Sequence, residues 1–356
     1  QPGSSFKPFV LATALEQGLS PQSSIDGRGP CRFPNPGAAD GDYEAENFEG
    51  SAGGVVTLAQ ATHRSVNCAY VRLGLIAGLE EVAATAARMG ITTPLDPVLS
   101  LPLGSKEVRP LDMAAAYATF AADGMHFSPY LVEEVLDEHG KVLFGGTTPG
   151  ERAISEATAR MATDVMSGVV SGGTATAARF PDGRPAAGKT GTTQANGDAW
   201  FAGYTPGLST AVWMGYPEGQ ARPMNSVHGV EVTGGSIPAD IFRRFMSEAV
   251  AGNEEVYGGD FVEPSSLDGR LLSGTRQAYV DPDAVPPPEP STTTTAPPAS
   301  TTTTTAPPVT TTTPTTEFQP TPTTLPPTVV IPPGLEPDAR DRPSSDTSPE
   351  KKERQR

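Results

Sequence analysis

An abrupt change in composition near Pro286 decides how much of this chain can fold. The 71 residues from Pro286 to Arg356 hold 18 of the chain's 38 prolines and three runs of four or five threonines. A segment with so little apolar surface does not offset the entropy that it would lose on ordering. We therefore expect residues 1–282 to form the folded domain and residues 283–356 to form a disordered Thr/Pro-rich tail.

The remaining residues are numerous enough to bury a full core, and the charge of the chain argues against one class of partner. Acidic residues outnumber Lys and Arg by 41 to 25, a formal net charge of −16. Nucleic-acid binding needs a basic surface, so no nucleic acid is expected as a partner. The four histidines lack the spacing of metal ligands, and neither a metal nor a cofactor is predicted.

Two further features concern the context of the chain. No stretch approaches the roughly 20 continuous apolar residues of a membrane helix, and the chain begins at Gln1 with residues typical of the middle of a protein, so we expect a fragment of a longer one. Cys31 and Cys68 are compatible with one disulfide outside the cytosol or with two free thiols inside it. The sequence leaves both alternatives open.

Apolar periodicity and turn residues predict helices interspersed with strands. The predicted helices cover residues 6–15, 57–63, 80–89, 111–123, 155–170 and 237–250. The predicted strands form two hairpins, 131–136 with 141–144 and 199–204 with 210–216, and residues 19–54 form a mostly irregular excursion. This order indicates an α/β (α+β) fold with a largely antiparallel sheet covered by helices on both faces. Trp200, Phe201 and Trp213 are expected in its core.

The first candidate catalytic pair is Ser4 and Lys7 in the sequence Ser-Ser-Phe-Lys. At the start of a helix, residues three apart lie on the same face, and free backbone N–H groups there favour a developing oxyanion. A lysine becomes a base at neutral pH only when burial or another cation lowers its pKa. The pair therefore predicts a nucleophile and its base, although a serine that merely caps an exposed helix has the same pattern.

Two later motifs add complementary chemistry. Ser65 and Asn67 could supply a proton relay and a carboxamide for an amide substrate, or could simply end a helix. The run Lys189-Thr190-Gly191-Thr192 combines an ammonium and hydroxyls that suit a carboxylate with a glycine that lets substrate approach a strand edge. Its alternative interpretation is the polar start of a strand.

The order Ser-x-x-Lys, Ser-x-Asn, Lys-Thr-Gly occurs in β-lactamases and penicillin-binding proteins. Together with Asp198-Ala199-Trp200-Phe201-Ala202-Gly203-Tyr204 and Gly234-Gly235-Ser236-Ile237-Pro238, it makes residues 1–250 resemble the transpeptidase domain of class A, bifunctional penicillin-binding proteins. The resemblance implies a β-lactamase/transpeptidase-like fold. It also implies a D,D-transpeptidase that cross-links peptidoglycan and is acylated by β-lactams.

The resemblance assigns a role to each motif residue. Ser4 would attack the D-Ala-D-Ala carbonyl of a stem peptide, Lys7 would be its base, and Ser65 would relay the proton to the leaving amine. The substrate-binding residues would be Asn67 for the donor amide and Lys189, Thr190, Gly191 and Thr192 for the terminal carboxylate and the strand edge. The implied partners are stem peptides, as D-Ala-D-Ala donor and amine acceptor, and β-lactams.

The family pattern also implies parts that this sequence does not contain. A class A protein carries a membrane anchor and a glycosyltransferase domain upstream and acts on the extracytoplasmic face of the membrane, and its transpeptidase sheet includes strands that precede Ser4. A fast β-lactamase is disfavoured, since no glutamate lies four residues before any asparagine. Two alternatives to the transpeptidase remain: a D,D-carboxypeptidase that uses water as acceptor, and a non-catalytic β-lactam sensor or cell-wall-binding module.

Overall fold

The computed structural model describes residues 1–35, 41–145 and 149–273; the predicted tail at 283–356 lies outside these ranges. The helices are α1 Lys7–Glu16, α2 Leu58–His63, α3 Asn67–Ala77, α4 Leu79–Arg88, α5 Pro110–Ala121, α6 Glu156–Gly172, α7 Ile237–Gly252 and α8 Glu254–Tyr257. The strands are β1 Ser24–Asp26, β2 Cys31–Phe33, β3 Tyr43–Ala45, β4 Val55–Thr57, β5 Met125–His126, β6 Glu134–Leu136, β7 Val142–Gly145, β8 Glu151–Arg152, β9 Ala187–Thr192, β10 Asp198–Thr205 and β11 Leu208–Gly215. A 3-10 turn, Gly3–Phe6, precedes α1.

The largest sheet among the described residues has three antiparallel strands in the order β11-β10-β9. β10 and β11 are the predicted hairpin around Pro206 and Gly207, and β9 pairs with the other edge of β10, so that Thr192 lies opposite Ala199. The register therefore places the Lys-Thr-Gly-Thr run in a strand at the edge of this sheet.

The two faces of β10 contribute to two separate cores, as the alternation of a strand requires. Trp200, Ala202 and Tyr204 pack into the larger core with residues of α1, α5 and α6. Phe201 points to the other side and meets Phe242 of α7, with ring centroids 4.7 Å apart. The predicted antiparallel sheet with helices on both faces is confirmed for this part of the chain.

The six predicted helices are present with ends within a few residues of the expected ones, but the prediction missed α3. Eight of its eleven residues are buried. A helix buried on most of its surface lacks the apolar stripe by which an amphipathic helix is recognised in a sequence. This omission matters because Asn67 is the first residue of α3.

The excursion predicted for residues 19–54 is less irregular than expected. β1 pairs with β4, and β2 pairs with β3, each in a short antiparallel ladder. A disulfide between Cys31 and Cys68 joins β2 to the first turn of α3. The question that the sequence left open is answered in favour of the disulfide.

Two details of the predicted strands were wrong. The first hairpin begins at Glu134 rather than at residue 131, and its strands β6 and β7 are exposed along their whole length. Trp213, expected in the core with Trp200 and Phe201, is 42% exposed. Within the described ranges, no helix is both long and apolar enough to cross a bilayer.

Candidate active site

The turn that carries Ser4 is held from two sides. The Tyr117 hydroxyl donates to the Ser5 carbonyl at 2.7 Å, and the Gly3 N–H donates to the Gly104 carbonyl at 3.2 Å. Gly3 has a φ of +55°, a conformation that favours glycine. Ser4 is therefore fixed at the entrance to α1, where its sequence position predicts it.

Of the two adjacent serines on this turn, Ser4 has the hydroxyl that is available for reaction. Ser5 is fully buried, and its hydroxyl donates to the Pro2 carbonyl at 2.7 Å. Ser4 is partly exposed, and across the described ranges its hydroxyl takes part in no hydrogen bond. The helix start beside it supplies backbone N–H groups with positive potential.

Lys7 is fully buried and points toward the Ser65–Asn67 motif. Its Nζ donates to the Ser65 carbonyl at 2.8 Å, to Ser65 Oγ at 3.2 Å and to Asn67 Oδ1 at 2.7 Å. Burial, and then the nearby charge of Lys189, lower the pKa of Lys7 well below its usual range. A larger neutral fraction is the condition under which a lysine acts as a base.

Ser65 lies in the connection between α2 and α3. Its φ of +57° is a sparsely populated conformation for a residue other than glycine, and such backbone strain persists only where the surroundings enforce it. The enforcing contacts include hydrogen bonds from the Ser65 N–H to the Thr62 carbonyl and from the Val66 N–H to the Ala61 carbonyl. The result is a serine hydroxyl aimed at two lysines.

Lys189 is the second of these lysines. Its Nζ donates to Ser65 Oγ at 2.9 Å, to the Thr190 carbonyl at 3.1 Å and to Thr190 Oγ1 at 3.3 Å. Lys189 is fully buried, and this burial lowers the pKa of its ammonium to about 7. Near neutral pH Lys189 is therefore close to its titration point.

The remaining residues of the Lys-Thr-Gly-Thr run have partners of their own. Thr190 Oγ1 lies 2.7 Å from Thr174 Oγ1, and Thr192 Oγ1 accepts the N–H of Gly234 at 3.0 Å. An accepting hydroxyl keeps its hydrogen free to donate. Thr192 thus retains a donor for an anionic group, whereas in the bond between Thr174 and Thr190 either hydroxyl can be the donor.

Gly191 has a structural reason for being glycine that the sequence does not indicate. We expected a close approach of substrate to the strand edge. In the structure a Cβ at this position would lie 2.1 Å from the Pro2 carbonyl oxygen and 2.9 Å from Ser5 Oγ. Gly191 lets β9 contact the turn that carries Ser4, and so it sets the distance between the first and the third motif.

Sequence reasoning missed the supporting residues Tyr117, Thr174 and Gly104. Tyr117 lies on α5 and Gly104 on a loop, far along the chain from the groups that they hold. Their contacts depend on tertiary packing, and the sequence carries no local signal for them.

The arrangement combines four chemical functions. Ser4 offers an accessible hydroxyl, Lys7 a base with a lowered pKa, and Ser65 a hydroxyl that contacts both ammonium groups. Lys189 and the Thr192 hydroxyl offer hydrogen-bond donors to an anion. These are the requirements for acyl transfer through a serine ester.

Comparison with known proteins gives a consistent result. The family described as "Penicillin binding protein transpeptidase domain" matches residues 1–247. The penicillin-binding protein 1A of Mycolicibacterium smegmatis is 34% identical, over 94% of this chain and 40% of that protein. The penicillin-binding protein 1A of Mycobacterium tuberculosis is 35% identical, over 76% of this chain and 34% of that protein. This chain spans less than half the length of either relative.

Solved structures show the same likeness. The PonA1 protein of Mycobacterium tuberculosis in complex with penicillin V has a TM-score of 0.66 and 34% identity, over 76% of this chain and 74% of that chain. The D,D-transpeptidase domain of a peptidoglycan glycosyltransferase from Eggerthella lenta has a TM-score of 0.55 and 27% identity, over 70% and 65% of the two chains.

Proposed function

Because the chain belongs to the family of penicillin-binding protein transpeptidase domains, we propose that it cross-links peptidoglycan stem peptides through an acyl-enzyme on Ser4 and that penicillin acylates the same serine. The observation that carries this proposal is the position of Ser65 Oγ, 3.2 Å from Lys7 Nζ and 2.9 Å from Lys189 Nζ. The hydroxyl forms a path for a proton between two buried amines.

In the proposed acylation, Ser4 Oγ attacks the carbonyl carbon of the D-Ala-D-Ala bond while its proton passes to neutral Lys7. The backbone N–H groups of Ser4 and Thr192 stabilise the oxyanion of the tetrahedral intermediate. The intermediate then collapses as the C–N bond breaks. The proton on Lys7 reaches the departing amine through Ser65, and D-alanine leaves.

The terminal carboxylate of the donor peptide is the group that Lys189 would recognise. Protonated Lys189 and the hydroxyls of Thr190 and Thr192 supply donors along one edge strand. The second N–H of the Asn67 carboxamide would donate to the donor's amide carbonyl, since its first N–H is held by the Glu46 carbonyl at 2.7 Å. Specificity for a D-Ala-D-Ala terminus would follow from these donors at a fixed distance from Ser4.

Deacylation repeats the same steps with a new nucleophile. An amine of a neighbouring stem peptide attacks the ester carbonyl and gives its proton to Lys7, so a new amide bond forms as the bond to Ser4 Oγ breaks. The proton returns to Ser4. The net reaction exchanges one amide for another and needs no cofactor.

The longer protein would join this activity to a second one. A solved relative is a domain of a peptidoglycan glycosyltransferase, and we infer that the complete protein also polymerises glycan strands. Peptidoglycan, the proposed substrate, lies outside the membrane. The domain of residues 1–282 would therefore act on the extracytoplasmic face, held there by an upstream anchor.

Product analysis tests this function. The full-length protein is incubated with a stem pentapeptide and an acceptor amine, and products are separated by mass. We expect a cross-linked dimer and free D-alanine, both lost in Ser4→Ala and retained in Ser167→Ala, a substitution on α6 outside the site. D-alanine without dimer would indicate a carboxypeptidase, and penicillin binding without either product would indicate a sensor.

A further inference from the structure

Residues 24–35 and 41–57, here called the flanking segment, include the residues that contact the first turn of α3, where Asn67 is located. We propose that Asn47 in this segment is a positioning residue for Asn67 and that the Cys31–Cys68 disulfide fixes the same contact covalently. This inference rests on the proposed function, because Asn67 is placed there in the substrate-binding site.

Helix α3 has no cap of its own. Its N-cap residue is Val66, whose side chain cannot accept a hydrogen bond, although the first N–H groups of a helix need acceptors. Asn47 supplies one, since its Oδ1 accepts the Cys68 N–H at 3.1 Å. Asn47, which lies 21 positions before Cys68 in the chain, therefore caps the helix that begins with Asn67.

The carboxamide of Asn47 is itself held in place. It is 6% exposed, and its Nδ2 donates to the Gly27 carbonyl at 2.9 Å and to the Ser51 carbonyl at 3.0 Å. A Cβ at Gly29 would lie 2.8 Å from this Nδ2, and a Cβ at Gly53 would lie 2.9 Å from it. Three hydrogen bonds and close backbone contacts leave one orientation for the group.

The neighbouring residue holds the Asn67 side chain. The Glu46 carbonyl accepts Asn67 Nδ2 at 2.7 Å, and Asn67 Oδ1 accepts from Lys7 Nζ at 2.7 Å. Residues 46 and 47 thus fix both the backbone of the helix start and the direction of its carboxamide. The oxygen faces the base, and the nitrogen faces the flanking segment.

The disulfide acts at the same point. Cys68 donates its backbone N–H to Asn47 Oδ1, and its sulfur is bonded to Cys31. Arg72, one turn further along α3, donates to the Asp26 carbonyl at 2.7 Å. The flanking segment is therefore held against α3 by the Asn47 side chain that caps the helix, by the disulfide and by the buried Arg72 guanidinium.

A double-mutant cycle tests whether Asn47 acts through Asn67. Second-order rate constants of acylation by penicillin are measured for the full-length wild type, Asn47→Ala, Asn67→Ala and the double variant. Misplacement of one binding group can cost about a hundredfold in rate, and we expect Asn47→Ala to slow acylation by about tenfold to a hundredfold. In the Asn67→Ala background the same change should have almost no further effect.

The pH dependence supplies a readout that loss of stability alone does not move. The rate of acylation should rise with pH as Lys7 loses its proton, and this rise is here called the acid limb. An ammonium that loses the acceptor Asn67 Oδ1 is less stable, so the acid limb should shift to lower pH in Asn47→Ala and in Asn67→Ala. The control is Thr205→Ala, which removes a partly buried hydrogen bond to the Tyr257 carbonyl at the far end of β10. It should lower Tm and leave the acid limb in place.

Reduction of the disulfide gives a second measurement if Asn47→Ala does not fold. Complete reduction, checked by the mass gained on alkylation, should slow acylation in the same direction, whereas Cys31→Ser/Cys68→Ser should not respond to reductant. This inference alone is overturned if Asn47→Ala slows acylation equally in the wild-type and the Asn67→Ala backgrounds. It is also overturned if both Asn47→Ala and the reduced protein react at the wild-type rate. Failure of penicillin to acylate the wild type would instead overturn the proposed function.

Discussion

At the scale of single residues, the two buried lysines divide the chemistry between them. In the proposed function, Lys7 needs to be neutral to take the Ser4 proton, whereas Lys189 needs to be protonated to hold a carboxylate. Burial lowers the pKa of both, and the charge of Lys189 lowers that of Lys7 further. Burial therefore favours a neutral Lys7, the proposed base, and brings Lys189, the proposed carboxylate-binding group, close to its titration point.

This division predicts a bell-shaped pH profile. The rate constant of acylation by penicillin, measured at low ligand concentration, should rise as Lys7 loses its proton and fall as pH passes about 7, where free Lys189 loses its own. Lys189→Arg keeps its charge to much higher pH, so its profile should lose the descending limb even if its maximum is lower. A descending limb that persists unchanged in Lys189→Arg would contradict the assignment.

At the scale of elements, the site is assembled where one turn, one helix connection and one edge strand meet. β9 approaches the Ser4 turn closely because Gly191 has no side chain: a Cβ there would lie 2.1 Å from the Pro2 carbonyl oxygen. The contact is between backbones, which cannot give way as a flexible side chain would. The spacing between Ser4 and Lys189 therefore depends on a glycine.

Gly191→Ala should consequently separate β9 from the turn. We expect acylation to slow by about a hundredfold and Tm to fall, both measured on purified protein. Gly172→Ala, at the end of α6, is the matched control, because a Cβ there has no atom within 4 Å. Wild-type acylation by Gly191→Ala would show that this contact does not position the nucleophile.

The sequence predicted most of these helices and strands but missed one helix and the contact between two distant elements. Ser4 and Lys7 lie three residues apart on one turn, so their proximity could be read locally, and the helices and hairpins followed from apolar periodicity. Helix α3 was missed because it is buried on most of its surface. The contact of Gly191 with the Ser4 turn was missed because its neighbour, Pro2, is remote in the chain and comes close only in the folded domain.

At the scale of the whole molecule, the sheet separates two cores. The larger one contains α1, α5 and α6 and supports the site, whereas the smaller one lies between the opposite face of the sheet and α7. Phe242 is fully buried in the smaller core, while Phe245 on the same helix is 53% exposed. Substitutions of these two phenylalanines therefore test the stability of the fold without changing the candidate active site.

Phe242→Ala should reduce the free energy of unfolding by about 3–5 kcal/mol, the usual cost of a large cavity in a core. Phe245→Ala should change it by no more than about 0.5 kcal/mol, as expected at the surface. Denaturant unfolding of the two variants and the wild type measures both values. Equal losses in the two variants would mean that α7 does not pack as described.

The most direct test of the central claim is the location of the acyl group after reaction with penicillin. The full-length protein is incubated with benzylpenicillin, its intact mass is measured, and the modified peptide is sequenced by mass spectrometry. We predict the gain of one penicillin molecule on Ser4 and no gain in Ser4→Ala. An adduct on another residue, or none on a folded and complete protein, would contradict the account.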